Sequence, residues 1–204
     1  FCADSEFQEV KKLAEQQKFE AALQKTRGLI EVARKKKNDH FLAEALIQAT
    51  QLEMALHGYE TAVRFLKESA WPKDGLERVL LHLYYARALM TYQNSYSWEI
   101  SQREENASGA PLDLKSWTTR QIGLEIDRSF DAAMMEGPWL GKTIPVSFRD
   151  YLVPNSFPEG VRPYLRDAIT YLAVEHFRNT QYWSAQESGE LYKLRAEKIA
   201  VKIF

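Results

Sequence analysis

Five of the seven prolines, Pro138, Pro145, Pro154, Pro158 and Pro163, fall in one stretch of a 204-residue chain. Proline removes a backbone donor and clashes with the preceding turn, so crowding it into one place leaves the rest free to run as long helices. Outside that stretch the apolar residues recur at helical rather than alternating spacing, which predicts an all-α fold. Phe7, Val10, Leu13 and Ala14 form a first stripe. Phe19, Ala22, Leu23, Thr26, Leu29, Ile30 and Ala33 form a second, ending in Arg34, Lys35, Lys36 and Lys37, where cations meet the negative end of the helix dipole. A polyanion-binding patch is the other reading of that run. Asp39 is placed to cap a third helix with Leu42, Ala45, Leu46, Ala49, Leu52 and Leu56 on its face. Gly58 breaks it, and Tyr59, Ala62, Val63 and Leu66 form a fourth helix before Pro72.

These helices read as two copies of one hairpin. Lys18-Phe19-Glu20-Ala21-Ala22-Leu23 aligns with Gly58-Tyr59-Glu60-Thr61-Ala62-Val63 at an offset of 40 residues. The aromatic-x-x-Ala-apolar pattern resembles the second helix of tetratricopeptide repeats, where a small Ala lets helix backbones approach. The offset is longer than the roughly 34 residues of that repeat, and its first-helix Trp, Gly and Tyr positions are not filled. The expected fold is therefore tetratricopeptide-like antiparallel hairpins of the right-handed α-α superhelix type.

Asp74 with Glu77 predicts the start of a helix that is apolar all round, through Val79, Leu80, Leu81, Leu83, Tyr84, Tyr85, Leu89 and Met90 towards Trp98 and Ile100. Ser116 is placed to cap the next, with Trp117, Ile122, Ile126, Phe130 and Ala133 on its face. Residues 136–162 read as a long irregular Pro/Gly-rich segment packed down by Trp139, Phe148, Tyr151 and Phe157. Pro163 opens a helix carrying Leu165, Ile169, Leu172 and Ala173, and Ser184 with Glu187 opens a last one bearing Leu191, Leu194, Ile199 and Ile203. The expected organisation is 1–72, two hairpins; 73–135, central buried helices; 136–162, the irregular segment; 163–204, a C-terminal helical pair; all as one domain.

Composition narrows function by exclusion. Lys plus Arg number 27 against 28 Asp plus Glu, a net charge of −1 that gives no electrostatic case for nucleic acid. No apolar run approaches the roughly 20 residues of a membrane span. A single cysteine excludes an internal disulfide and a thiolate zinc site. Cys2 sits near where a bacterial lipoprotein carries its lipid, but Phe1 precedes it, and an inert terminal thiol is the preferred reading. The pattern from Ala196 to Phe204 has no stop signal, so the expectation is that the chain continues.

No catalytic motif emerges. His40, His57, His82 and His176 show no metal-ligand spacing and read as structural or solvated, His82 as an interior or groove residue. Asp127 and Asp131 share a helix face with Glu125 nearby, a pattern read as solvated rather than as a general acid and base. Tyr84, Tyr85, Tyr92, Tyr96 and Trp98 read as a packing seam in preference to a binding groove. The expectation is no enzyme, no cofactor and no metal; an unrecognised helical active site is the third-ranked alternative.

One set of motifs carries a family resemblance. Trp98-Glu99-Ile100-Ser101-Gln102-Arg103, Asp113-Leu114-Lys115-Ser116-Trp117 and Arg162-Pro163-Tyr164-Leu165-Arg166-Asp167 occur in that order after the hairpins. Together they resemble the N-terminal helical region of large bacterial alpha-2-macroglobulin-like proteins, across nearly the whole chain. Glu104 stands where that pattern has Thr, and the Tyr-Tyr run before Trp98 is displaced. The resemblance implies an exported, periplasmic or cell-envelope protease inhibitor whose thioester, made by a Cys and a Gln, lies elsewhere. This region would then be a non-catalytic scaffold whose partners are the rest of its own chain, a protease or an envelope protein. Trp98, Arg103, Trp117, Arg162, Pro163, Leu165 and Asp167 would be its structural anchors. The runner-up is a tetratricopeptide-like adaptor that binds a protein or peptide in an unrelated system.

Overall fold

A computed structural model describes residues 3–73, 75–104, 113–137, 140–142, 152, 158, 160–161 and 163–178. Among these every regular element is helical: α1 (Ala3–Glu15), α2 (Phe19–Lys36), α3 (Asp39–Ala55), α4 (Tyr59–Glu68), α5 (Leu76–Ser95), α6 (Ser97–Ser101), a 3-10 turn (Leu114–Ser116), α7 (Thr119–Met135) and α8 (Leu165–Phe177). The expected last helix, the cap at Asp74, Cys2, Arg162 and the aromatics Trp139, Phe148, Tyr151 and Phe157 lie outside the described residues.

Consecutive helices from α1 to α5 pack pairwise, α3 also meets α5, α5 meets α7, and α7 meets α8. All of the second stripe except Phe19 is buried in α2. α3 is buried almost all round, with Phe41, Ala43 and Ile47 joining the expected face, because α2, α4 and α5 cover it from different sides. It therefore shares the interior with α5, the helix expected to be apolar all round. Phe7 of α1 meets Phe41 of α3 edge to face, centroids 5.2 Å apart.

Three turns join α1 to α4, and they share one geometry. Gln17, Lys37 and His57 each take the left-handed conformation, with φ of 59°, 50° and 61°. In each, the next amide donates five residues back: Lys18 N to Leu13 O, Asn38 N to Ala33 O, Gly58 N to Glu53 O. This is the Schellman closure, which satisfies carbonyls that the helix end leaves unpaired. Gly58, expected to break α3, lies in the turn that ends it and is also the N-cap of α4, at φ −80°, ψ 52°. Its counterpart 40 residues earlier, Lys18, has φ −87°, ψ 58°. The sequence offset is thus also an offset of backbone geometry. A Cβ on Gly58 would stand 3.1 Å from the Glu53 carboxylate, so glycine there leaves room for that buried acid and its bond to Arg27 at 2.6 Å.

The caps differ from expectation in three places. Asn38, not Asp39, accepts from the Phe41 amide at 3.0 Å. Thr118, not Ser116, caps α7: its hydroxyl accepts from Gln121 N at 3.3 Å, and the Gln121 side chain accepts from Thr118 N at 2.9 Å. Ser116 lies in the 3-10 turn, where its hydroxyl donates to Asp113 O at 2.7 Å. Pro163 stands before the cap of α8 rather than in its first turn, since Tyr164 is the N-cap.

Candidate functional site

The end of α4 and the chain after it, Ser69 to Trp71, run across α5 and α7 and leave a groove of about 320 Å³ between them. Lys67, Ser69 and Trp71 line it from one side, His82 and Tyr85 of α5 from below, and Glu125, Arg128 and Ser129 of α7 from the other. The α4 carbonyls at this end are satisfied: Phe65 O accepts from the Ser69 hydroxyl and Leu66 O from the Trp71 indole, both at 2.7 Å.

Glu125 organises the polar rim. Its Oε1 accepts from Lys67 Nζ at 3.2 Å and from the Tyr85 hydroxyl at 3.1 Å, and its Oε2 from Arg128 at 3.4 Å. Lys67 also lies 4.4 Å above the Trp117 ring. Burial, and then the charge of Glu125, push the Tyr85 phenol far up, so it stays a donor. Trp71 stands edge to face with His82 and with Tyr85, centroids 5.0 and 6.0 Å away.

Burial, with Arg78 nearby, pushes His82 down to about 4, so it is neutral at physiological pH. The Ser129 hydroxyl donates to the His82 carbonyl at 2.9 Å while the ring Nδ1 lies 3.4 Å away. That serine is a tie between α5 and α7.

The other histidines are set by their neighbours. His40 Nδ1 lies 3.3 Å from Glu77 and is held above its ordinary range by that bond. His57 Nδ1 is 2.9 Å from the Tyr59 hydroxyl. His176 is buried between α7 and α8, 3.8 Å from Asp127; burial outweighs that distant carboxylate and lowers its pKa. Asp127 therefore lies beside His176 of α8 with its side chain still 39% exposed, and Asp131 is exposed.

The expected anchors divide. Arg103 donates to Leu114 O at 3.3 Å, Trp117 O at 2.9 Å and the Tyr92 hydroxyl at 3.2 Å, tying the 3-10 turn to α5. Trp117 is buried beside it. Leu165 is fully buried, and Asp167 accepts from the Tyr164 amide at 3.1 Å. Trp98 is 76% exposed, because α6 turns Ile100 inward and presents Trp98 to solvent. The first amides of α8 dock on residues 140–142, Leu165 N to Lys142 O and Arg166 N to Leu140 O, both at 3.1 Å.

Of the groove residues, the sequence singled out His82, Tyr85 and Glu125 but not Lys67, Trp71 or Arg128. The readable signals were the i, i+3 pair Glu125–Arg128 and an indole next to Pro72. Among the described residues no group of three or more His, Cys, Asp or Glu side chains is arranged to hold a metal ion. Against protein-family models, curated proteins and solved structures, the chain matches none.

Proposed function

We propose that this chain is a non-catalytic helical scaffold that serves protein–protein contacts, with tetratricopeptide-like hairpins as its repeating unit. The observation that supports this most is the hairpin geometry repeated at an offset of 40 residues, with matching left-handed turns at Gln17 and His57 and matching caps at Lys18 and Gly58. Stacked hairpins bury one face of each helix on the next and leave an extended surface for partners. The resemblance of the Trp98–Arg103, Asp113–Trp117 and Arg162–Asp167 motifs extends the proposal. On it, the scaffold stands in an exported alpha-2-macroglobulin-like protease inhibitor, ahead of the segments that trap the protease. The hydrogen bonds of Arg103, Glu125 and Asp167 serve helix docking and capping on this reading rather than turnover.

The test is the coding sequence beyond Phe204. Continuation into a very long chain carrying a thioester Cys and Gln supports the inhibitor assignment. A stop near Phe204 removes that assignment and leaves the second reading, an adaptor for a protein or peptide, which the groove beside Trp71 favours.

A further inference from the structure

From the groove between α4, α5 and α7 we infer a binding site for a carboxylate carried on a small apolar body, such as a free aliphatic acid or the C-terminal residue of a peptide. Two cations, Lys67 and Arg128, face a single carboxylate, Glu125, at the rim. The surplus is one positive charge. His82 adds none, since it is neutral above about pH 4. Glu125 keeps the Tyr85 hydroxyl as a partner when the rim is shared. The Lys67 and Arg128 side chains are 46% and 73% exposed, and ion pairs that exposed contribute little, so either cation turns to an incoming anion at small cost. Arg128 offers a planar fork that suits a carboxylate.

Beneath the rim the walls are apolar and aromatic. Trp71 meets His82 and Tyr85 edge to face, and the groove that these rings line together with Ser69 and Ser129, about 320 Å³ in all, accommodates a branched aliphatic group. The backbone carbonyls at the end of α4, which would repel an anion, are covered by Ser69 and the Trp71 indole. Glu125 would equally repel a carboxylate that entered without displacing a cation. The bound anion therefore sits between Lys67 and Arg128 on the solvent side, with its apolar body pointing to Trp71. This site stands independently of the scaffold assignment above.

The full chain, labelled with nitrogen-15, is titrated with 4-methylpentanoate and with acetyl-Gly-Gly-Leu bearing a free C-terminus. The neutral controls are 4-methylpentanamide and the same peptide as its C-terminal amide. The reporter is the Trp71 indole N–H. Both acids are expected to move it saturably, and each amide to bind about tenfold more weakly or worse. The double variant Lys67→Gln, Arg128→Gln, whose folding is checked by circular dichroism, loses a similar factor. A peptide that binds at least about tenfold more tightly than the free acid assigns the site to a protein chain end; equal affinity assigns it to a free acid. Amides that match their acids, a double variant that binds normally, or no saturable shift at Trp71 overturns the inference.

Discussion

His40 on α3 and Glu77 on α5 stand 3.3 Å apart, and each shifts the titration of the other. The bond raises His40 above its ordinary 6.5 and lowers Glu77 below its ordinary 4.5. A raised histidine contributes stability that is complete below 6.5 and lost as pH climbs through the raised value. A lowered carboxylate contributes stability that is complete above 4.5 and lost as pH falls through the lowered value. The pair thus contributes fully between about pH 4.5 and 6.5. A double-mutant cycle of His40→Gln and Glu77→Gln should give a coupling of up to about 1 kcal/mol in that window, since both groups are partly exposed. It should vanish in alkaline buffer; coupling that persists there would show a contact other than this ion pair. His82 works in the opposite sense. Its folded value of about 4 lies below the ordinary 6.5, so between these the unfolded chain binds more protons and stability falls as pH falls. His82→Gln should flatten the drop in melting temperature between pH 7 and pH 4, and an unchanged drop would locate the acid sensitivity elsewhere.

At the scale of the element, helix positions were legible and helix ends were not. The stripes of α2 and α7 could be read because burial repeats with the helix period: Ala22, Leu29 and Ala33, and Ile122, Ile126 and Phe130, all face inward. The ends depend on single residues whose cues are degenerate. Ser116 and Thr118 both offer a cap hydroxyl, and Gln121, three residues after Thr118, is what separates them. Thr118→Ala should cost about 0.5 to 2 kcal/mol in urea denaturation, and Ser116→Ala less. The Schellman turns were hidden because no glycine marks them. Gln17, Lys37 and His57 accept the left-handed conformation in spite of their Cβ atoms, at a cost of roughly 1 kcal/mol each. Lys37→Gly should therefore stabilise the protein by about that amount, and Lys37→Ala should not. A destabilised Lys37→Gly would mean that the unfolded chain gains more from glycine than the turn does. The groove was half legible for a related reason: its residues come from three separate stretches, 67–71, 82–85 and 125–129, which only the fold brings together.

For the whole molecule, the order of contacts matters more than any one of them. Among the described residues, α3 and α5 are covered on several sides, whereas α8 packs chiefly on α7 and is tied at its start by the amides of Leu165 and Arg166 to residues 140–142. Tyr171, Val174 and Phe177 on its other side are exposed. No periodicity announced that tie, because two backbone amides meeting two carbonyls leave no trace in side-chain pattern. Each helix is held mainly by those it packs on, so opening begins where these are fewest. α8 should therefore exchange its amide hydrogens faster than α3 and α5, through local opening that spares the rest. Leu165 fixes its first turn, fully buried against α7, and Leu165→Ala should cost about 2 to 5 kcal/mol there. Hydrogen exchange followed by mass spectrometry should show that loss as faster exchange across 165–177, with α2 and α3 unchanged. Leu89→Ala, at a fully buried position in α5, should instead speed exchange in every helix at once. If Leu165→Ala also accelerates α2 and α3, the helices open as one cooperative unit and the stack has no weaker end.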